Sequence, residues 1–283
     1  MRQASGKNPA GSIGSVQNHR ERESGVIVYP VYSRRSGGLS LGINLFTGGK
    51  VCEFDCPYCE VFSFKADAEF SLAAMEAQIV RAIETVGADG RDIRDISFSG
   101  NGEPTISAHF SSALDLAIAM RARYAPEAKI VVISSGTGLL REKVFQKLTE
   151  AATTVRAFEL WLKIDAGTES WFRAINRSKT GYSSLISAIQ RFSAAAPCVI
   201  QTMHCSVHGE RPSPAELEAW AALVSGLSQG GSVKAVQIYG KARPSEHDPI
   251  CAPLPASELE HRAALLRAEF SRQAISTPVS VYE

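Results

Sequence analysis

The chain has 283 residues, 45% hydrophobic and 21% charged, with a formal net charge of +1. That length buries a sizeable core without disulfide staples, and the near-neutral charge excludes a protein held on nucleic acid mainly by phosphate contacts, though not a local basic strip. No apolar run approaches the ~18 residues that cross a bilayer, and Met1-Arg2-Gln3-Ala4-Ser5-Gly6-Lys7 lacks the apolar stretch of a secretion signal, so no membrane contact and a cytoplasmic location are expected. Residues 1–24 are rich in Gly, Ser, Asn, Gln and charge and read as a flexible leader. The folded domain is expected over residues 25–283. A strand at 39–46 leads into a loop that holds three cysteines. Leu72, Met75, Ile79, Ile83 and Val86 recur at three- and four-residue steps, one face of a helix. A strand at 93–99 ends in Gly100-Asn101-Gly102-Glu103-Pro104, and Leu114, Ile118 and Ala122 mark the next helix. Strand 129–135, with Ile130-Val131-Val132-Ile133, exits at Ser135-Gly136-Thr137-Gly138. Helix 139–152, strand 156–165, helix 182–194, strand 199–207, helix 214–227, strand 233–239 and helix 257–271 continue the alternation, with 278–282 a last strand. Six βα units in sequence imply a parallel sheet with right-handed crossovers. The fold class is α/β. Whether the sheet is a partly closed barrel or open and doubly wound, its functional loops belong at the carboxyl ends of the strands.

The six cysteines are Cys52, Cys56, Cys59, Cys198, Cys205 and Cys251. Three fall within eight residues, spaced C-x3-C-x2-C, and three are scattered. This is a poor disulfide framework and a good soft-metal loop. A structural zinc site takes four ligands, often as two C-x2-C pairs, and no second pair exists here. A [4Fe–4S] cube also takes four ligands as a rule, so three cysteines leave one iron open for a cofactor or substrate. A zinc site with a distant fourth ligand is the competing reading, and a non-catalytic metal-binding module the competing function.

Cys52, Cys56 and Cys59, with Tyr58 before the last cysteine, resemble the signature of the radical S-adenosylmethionine (radical SAM) enzymes. Ser99-Gly100-Asn101-Gly102-Glu103-Pro104-Thr105 resembles that family's glycine-glycine-glutamate element, in the variant of enzymes related to the wyosine-forming tRNA enzymes. Ser40-Leu41-Gly42-Ile43-Asn44, Lys163-Ile164-Asp165-Ala166-Gly167, Phe172-Arg173-Ala174-Ile175-Asn176-Arg177 and Val236-Gln237-Ile238-Tyr239 look like the same subgroup.

The resemblance implies a partial (βα)6 TIM-like barrel and a [4Fe–4S] cluster on the three cysteines. It implies S-adenosylmethionine as cofactor, cleaved reductively to a 5′-deoxyadenosyl radical that takes hydrogen from an unidentified substrate, an oxidoreductase- or transferase-type reaction. Tyr58 then lies against adenine. Gly100, Asn101, Gly102 and Glu103 meet the methionine ammonium, and Lys163 and Asp165 its carboxylate and the ribose. Ser135 and Gln201 complete the expected cofactor-binding residues, with a turn cap as the alternative for Ser135 and a structural ion pair for Lys163 and Asp165. The implied partners are an electron donor such as flavodoxin or ferredoxin and a small-molecule, peptide or RNA substrate. Wyosine enzymes carry a second cluster on cysteines before the signature. Residues 1–51 contain none, a departure that points away from tRNA modification. Cys198, Cys205 and Cys251 are widely spaced and read as packing residues, with a second cluster as the alternative. Arg34-Arg35, Lys241 and Arg243 are the notable basic groupings, either a solvated rim or contacts to an anionic substrate.

Overall fold

Alternation along the strands decides which face of the sheet meets helices and which is left for function. In the computed structural model, which describes residues 25–61, 63–243, 245 and 248–283, the first strand is β1 (Val28–Ser33). It pairs antiparallel with β2 (Gly38–Ile43). β3 (Ile93–Phe98), β4 (Lys129–Ser134), β5 (Phe158–Lys163), β6 (Cys198–Val207) and β7 (Val233–Gly240) follow in spatial as in chain order, each parallel to the one before. β9 (Val279–Tyr282) adds in parallel to β7, and the short β8 (Cys251–Pro253) pairs antiparallel with the end of β6. The helices are α1 (Leu72–Ala88), α2 (Phe110–Tyr124), α3 (Glu142–Thr154), α4 (Glu169–Ile175), α5 (Tyr182–Ala195), α6 (Pro214–Gly230) and α7 (Ala256–Arg272). Six parallel βα units thus run from β2 to α7, and the sheet curls into a partial barrel. The curl brings Tyr29 of β1 and Tyr282 of β9 to one cavity, although the two edge strands are not paired with each other.

One set of alternate residues packs against the helices. Leu41, Ile96, Phe98, Ile130, Val132, Leu160, Leu162, Ile200, Val236 and Ile238 are all fully buried. Each such side chain is worth roughly 1.5–3 kcal/mol of burial, which pins the register because a one-residue slip would turn the whole set inward. The other set faces the barrel interior and is mixed. Val131, Trp161 and Val199 form a small apolar plug. Below it Ser40 Oγ donates to Asp95, 2.5 Å. Above it lie Lys163, Gln201 and Gln237, in register across β5, β6 and β7.

Three elements escape the sequence reading. β1 carries Pro30, which an edge strand tolerates because one side of it needs no ladder hydrogen bond. Its Tyr29 lies directly over Gly42 of β2, where a Cβ would come within 2.2 Å of the ring. The ring therefore reaches across β2 to set its hydroxyl 3.0 Å from Ser99 Oγ. α4 and β8 are seven and three residues long, too short for periodicity to register. The expected strand 39–46 ends early, at Ile43, because the Asn44 side chain accepts from Phe46 N and Asn101 N and turns the chain. The expected helix 139–152 is a 3-10 turn (Thr137–Leu140) followed by α3. The leader assigned to 1–24 lies outside the described residues. No described helix is long and apolar enough to cross a membrane.

His204 sits on the helix-facing side of β6, its ring edge-on to Trp220 of α6 with centroids 4.9 Å apart. Among the described residues neither ring nitrogen has a hydrogen-bond partner, nor does Nη1 of Arg262 from α7. Burial, aided by the Arg262 charge, pulls the His204 pKa from 6.5 down to about 3. Arg262 is itself 3.6 Å from Glu258 on its own helix. The unfolded chain takes up a proton at His204 as pH falls through that window, and the folded chain does not. Stability therefore falls with decreasing pH below about 6.5, by up to about 1.4 kcal/mol per unit from this one group. Denaturant titrations at about pH 7.5 and about pH 5 will show a smaller acid loss in His204→Leu than in the wild type. Equal losses would refute the assignment.

Candidate functional site

The cysteine loop lies across the carboxyl end of the barrel and is fastened on every side. At its base, Ala66 N donates to Gly48 O at 3.0 Å and Thr47 Oγ1 to Ala68 O at 2.9 Å. On the β3 side, Val51 forms a parallel bridge with Gly102: Val51 N donates to Asn101 O at 3.0 Å and Glu103 N to Val51 O at 2.9 Å. On the α4 side, Asp55 N donates to Asn176 O and Ser178 Oγ to Glu53 O, both at 2.9 Å. At its far end, Glu60 accepts from Arg243 Nε at 2.9 Å. A Cys59 N to Cys56 O bond of 2.9 Å makes the tight turn that brings the last two cysteines round.

Cys52, Cys56 and Cys59 are free, half-buried thiols, and all three line one cavity of about 290 Å³. Tyr58, Gly100, Gly102, Glu103, Ser135 and Lys163 share its wall. Asn101, Asp165 and Gln201 do not reach it. Asn101 is spent on the chain, its Nδ2 donating to Phe46 O at 3.1 Å. Asp165 is buried behind Tyr58, whose hydroxyl donates to it. It also accepts from Asn176 Nδ2 and Met203 N, each at 2.8 Å, and pairs with Lys163 at 3.4 Å. Gln201 faces the barrel interior, as the alternation requires, but holds Arg35 and Gln237. The glycine turn is likewise partly structural. At Gly102, φ is +147° and a Cβ would sit 1.7 Å from Val51 O, so the close approach it permits is that of the cysteine loop.

Glu103 is the hub of the β3 and β4 exits. It is 3% exposed. Oε1 accepts from Thr105 N, Thr105 Oγ1 and Ser134 Oγ, and Oε2 from Ser135 N at 2.6 Å. Oε2 thus keeps acceptor capacity beside the cavity. In the same cavity, burial opposes the Lys163 charge, but Asp165, Tyr239 and Cys56 outweigh it and raise its pKa. Its Nζ is 2.5 Å from Tyr239 Oη and 4.8 Å from the Tyr58 ring centre. The cavity thus carries an acidic side chain, Glu103, and a basic one, Lys163, which suits a zwitterion.

Burial pushes the Cys52 thiol up to about 12 and the Cys56 thiol to about 11. Without a metal these two thiols are therefore neutral, and a bound metal's charge must draw their protons off. Among the described residues no group of three or more His, Cys, Asp or Glu is placed to hold a single metal ion, these cysteines included. Zinc needs its thiolates around one atom, whereas a four-iron cube takes one per iron and leaves them farther apart. Three sulfurs around a shared cavity fit a [4Fe–4S] cluster with one open iron. Asn176 lies in the stretch 172–177 that carries the resemblance, but the sequence assigned it no role. Its Nδ2 stands 3.5 Å from Cys56 Sγ and joins that thiol to Asp165. Cys205 and Cys251 have their sulfurs 3.6 Å apart, and Cys198 starts the same strand that carries Cys205, seven residues earlier.

No protein-family model matches the chain. Two curated proteins from strains of Helicobacter pylori, both described as UPF0026 protein, are similar. One is 30% identical over 131 residues and the other 28% identical over 126. The matches cover 46% and 44% of this chain and 41% and 39% of theirs, so the chain matches about two fifths of their length. Among solved structures, a radical SAM methyltransferase from Sphaerobacter thermophilus is similar at a TM-score of 0.64 and 15% identity, over 90% of this chain and 68% of that one. The fold is that of the radical SAM enzymes. Streptococcus suis SuiB bound to S-adenosylmethionine also has a TM-score of 0.64, at 10% identity over 83% of this chain and 49% of that one. A spore photoproduct lyase variant with a dinucleoside spore photoproduct gives 0.58 at 10% identity, over 95% and 81%.

Proposed function

We propose that this chain is a radical SAM enzyme, of the subgroup related by sequence to the wyosine-forming tRNA enzymes. The observation that carries the reading is the single cavity into which one loop turns three thiols, lined also by buried Glu103 and by Lys163. Cys52, Cys56 and Cys59 would hold a [4Fe–4S] cluster, which supplies the electron that breaks the sulfonium carbon–sulfur bond of S-adenosylmethionine. Glu103 Oε2 would accept from the methionine ammonium and Lys163 would meet its carboxylate. Ser135 would lie beside the cofactor, and Tyr58 would give its ring face to the adenine. Asp165 and Asn176 fix the Tyr58 hydroxyl and the Cys56 thiol from behind. Asn101 and Gln201 support the walls rather than the ligand. The oxidoreductase or transferase outcome, an electron donor such as flavodoxin or ferredoxin, and a cytoplasmic setting belong to the same proposal.

The test is anaerobic reconstitution with iron and sulfide, then a strong reductant and S-adenosylmethionine. The expected result is brown protein with about four irons per chain and 5′-deoxyadenosine as product. A colourless zinc-loaded protein would establish the metal-binding module instead. Methylthioadenosine as product would mean a different cleavage of the sulfonium.

A further inference from the structure

A second cavity of about 240 Å³ lies on the inner face of the barrel, between the β1–β2 hairpin and strands β7 and β9. It shares Arg35, Tyr58, Ser99, Met203 and Tyr239 with the cysteine-lined cavity, so the two adjoin. Its wall carries four cationic side chains, Arg34, Arg35, Lys241 and Arg243, against one carboxylate, Glu60. Three of these five are committed. Arg243 pairs with Glu60 at 2.9 Å, and Lys241 Nζ donates to Cys251 O at 2.8 Å. Arg34 is exposed at the hairpin tip.

Arg35 is different. The hairpin sends it into the barrel, where its guanidinium lies 4.8 Å from the Tyr239 ring centre and 6.0 Å from that of Trp161. Nη1 donates to Gln201 Oε1 at 3.0 Å, and Gln201 is held in turn by Gln237 at 2.7 Å. Among the described residues no carboxylate pairs with it. One hydrogen bond uses one of five donors, and the ring and the glutamine relay fix the plane of the fork. A half-buried guanidinium, oriented and without a counter-charge, recovers its desolvation cost when a ligand brings an oxyanion.

We infer that this second cavity is the substrate site and that Arg35 anchors an oxyanion, a phosphate or a carboxylate, on a small-molecule substrate. The inference rests on the radical SAM reading, which places a substrate beside the cofactor. The test uses the full chain, cluster-loaded and bound to S-adenosylmethionine, without oxygen and at constant ionic strength. Inorganic phosphate is titrated by phosphorus NMR line broadening and acetate by carbon NMR. Saturable binding of either anion is expected, and whichever binds tighter identifies the group. Arg35→Gln should weaken that binding about tenfold or more, while S-adenosylmethionine affinity stays within about twofold. Arg35→Lys keeps the charge without the planar fork and should fall between the two, which leaves a decisive comparison if the glutamine variant does not fold. Wild-type affinity in either variant would overturn the inference. So would absence of saturation by both anions, or an equal loss of S-adenosylmethionine affinity, which would assign Arg35 to the cofactor's own carboxylate. Failure of the parent reading looks different: the wild-type protein would then bind no S-adenosylmethionine.

Discussion

Alanine at Cys52, Cys56 or Cys59, introduced singly, is expected to remove the brown chromophore and to lower 5′-deoxyadenosine formation by more than about 100-fold, beyond the 10–100-fold typical of outer-shell changes. The three thiols belong to one loop and line one cavity, so no other cysteine stands ready to replace a missing one. Cys205 and Cys251 are buried together at the end of β6, and Cys198 is buried at its start. Alanine at these three positions should cost packing and leave iron content near the wild-type value. Iron and sulfide analysis beside product chromatography separates the two sets. Wild-type cleavage in any loop variant, or a halved iron content in Cys205→Ala, would redraw the ligand assignment.

Far-UV circular dichroism of the apo loop variants should match the wild type. The loop is held by backbone bonds to Asn101, Glu103 and Asn176 and by the Arg243–Glu60 pair, not by its sulfurs. Loss of iron with an intact fold is what separates a ligand from a structural cysteine.

The βα alternation was legible because its strands carry period-two patterning over apolar runs and its helices a repeating apolar face, whereas the partial barrel came from the family resemblance. Residues 130–133, facing helices and interior in turn, state the register of β4 in four letters. The cysteine loop was legible because metal chemistry demands local spacing. What stayed hidden depends on partners distant in sequence. Nothing near Arg35 announces that it will meet Tyr239 and Gln201, and nothing near Asn176 announces Cys56. The resemblance marked Asp165 and Gln201 as cofactor contacts. The structure places both behind the cavity wall, because buried polar groups first satisfy one another. The glycine turn shows the same competition from another side. The sequence marks where backbone comes close, and the fold decides that it comes close to the cysteine loop.

Gly102→Ala is accordingly expected to undock that loop. At φ of +147° an alanine is already strained, by about 1–3 kcal/mol. Its Cβ would also stand 1.7 Å from Val51 O, 2.6 Å from Val51 C and 3.0 Å from Val51 N, all backbone atoms that no side-chain rotation relieves. Relief requires parting Val51 from Gly102, which breaks the Glu103 N to Val51 O and Val51 N to Asn101 O bonds on either side. Cys52, the next residue, moves with them. Iron bound after reconstitution should fall about tenfold, comparable to loss of an outer-shell support, and protease cleavage within residues 50–61 should become faster. The barrel core lies outside this contact, so its circular dichroism should persist. Gly87→Ala in α1 is the matched control: a Cβ there meets nothing within 4 Å, and the exchange should add up to about 1 kcal/mol of helix stability. Full iron binding in Gly102→Ala would mean that the loop keeps its place without the Val51–Gly102 bridge, and that the glycine serves the ligand rather than the loop.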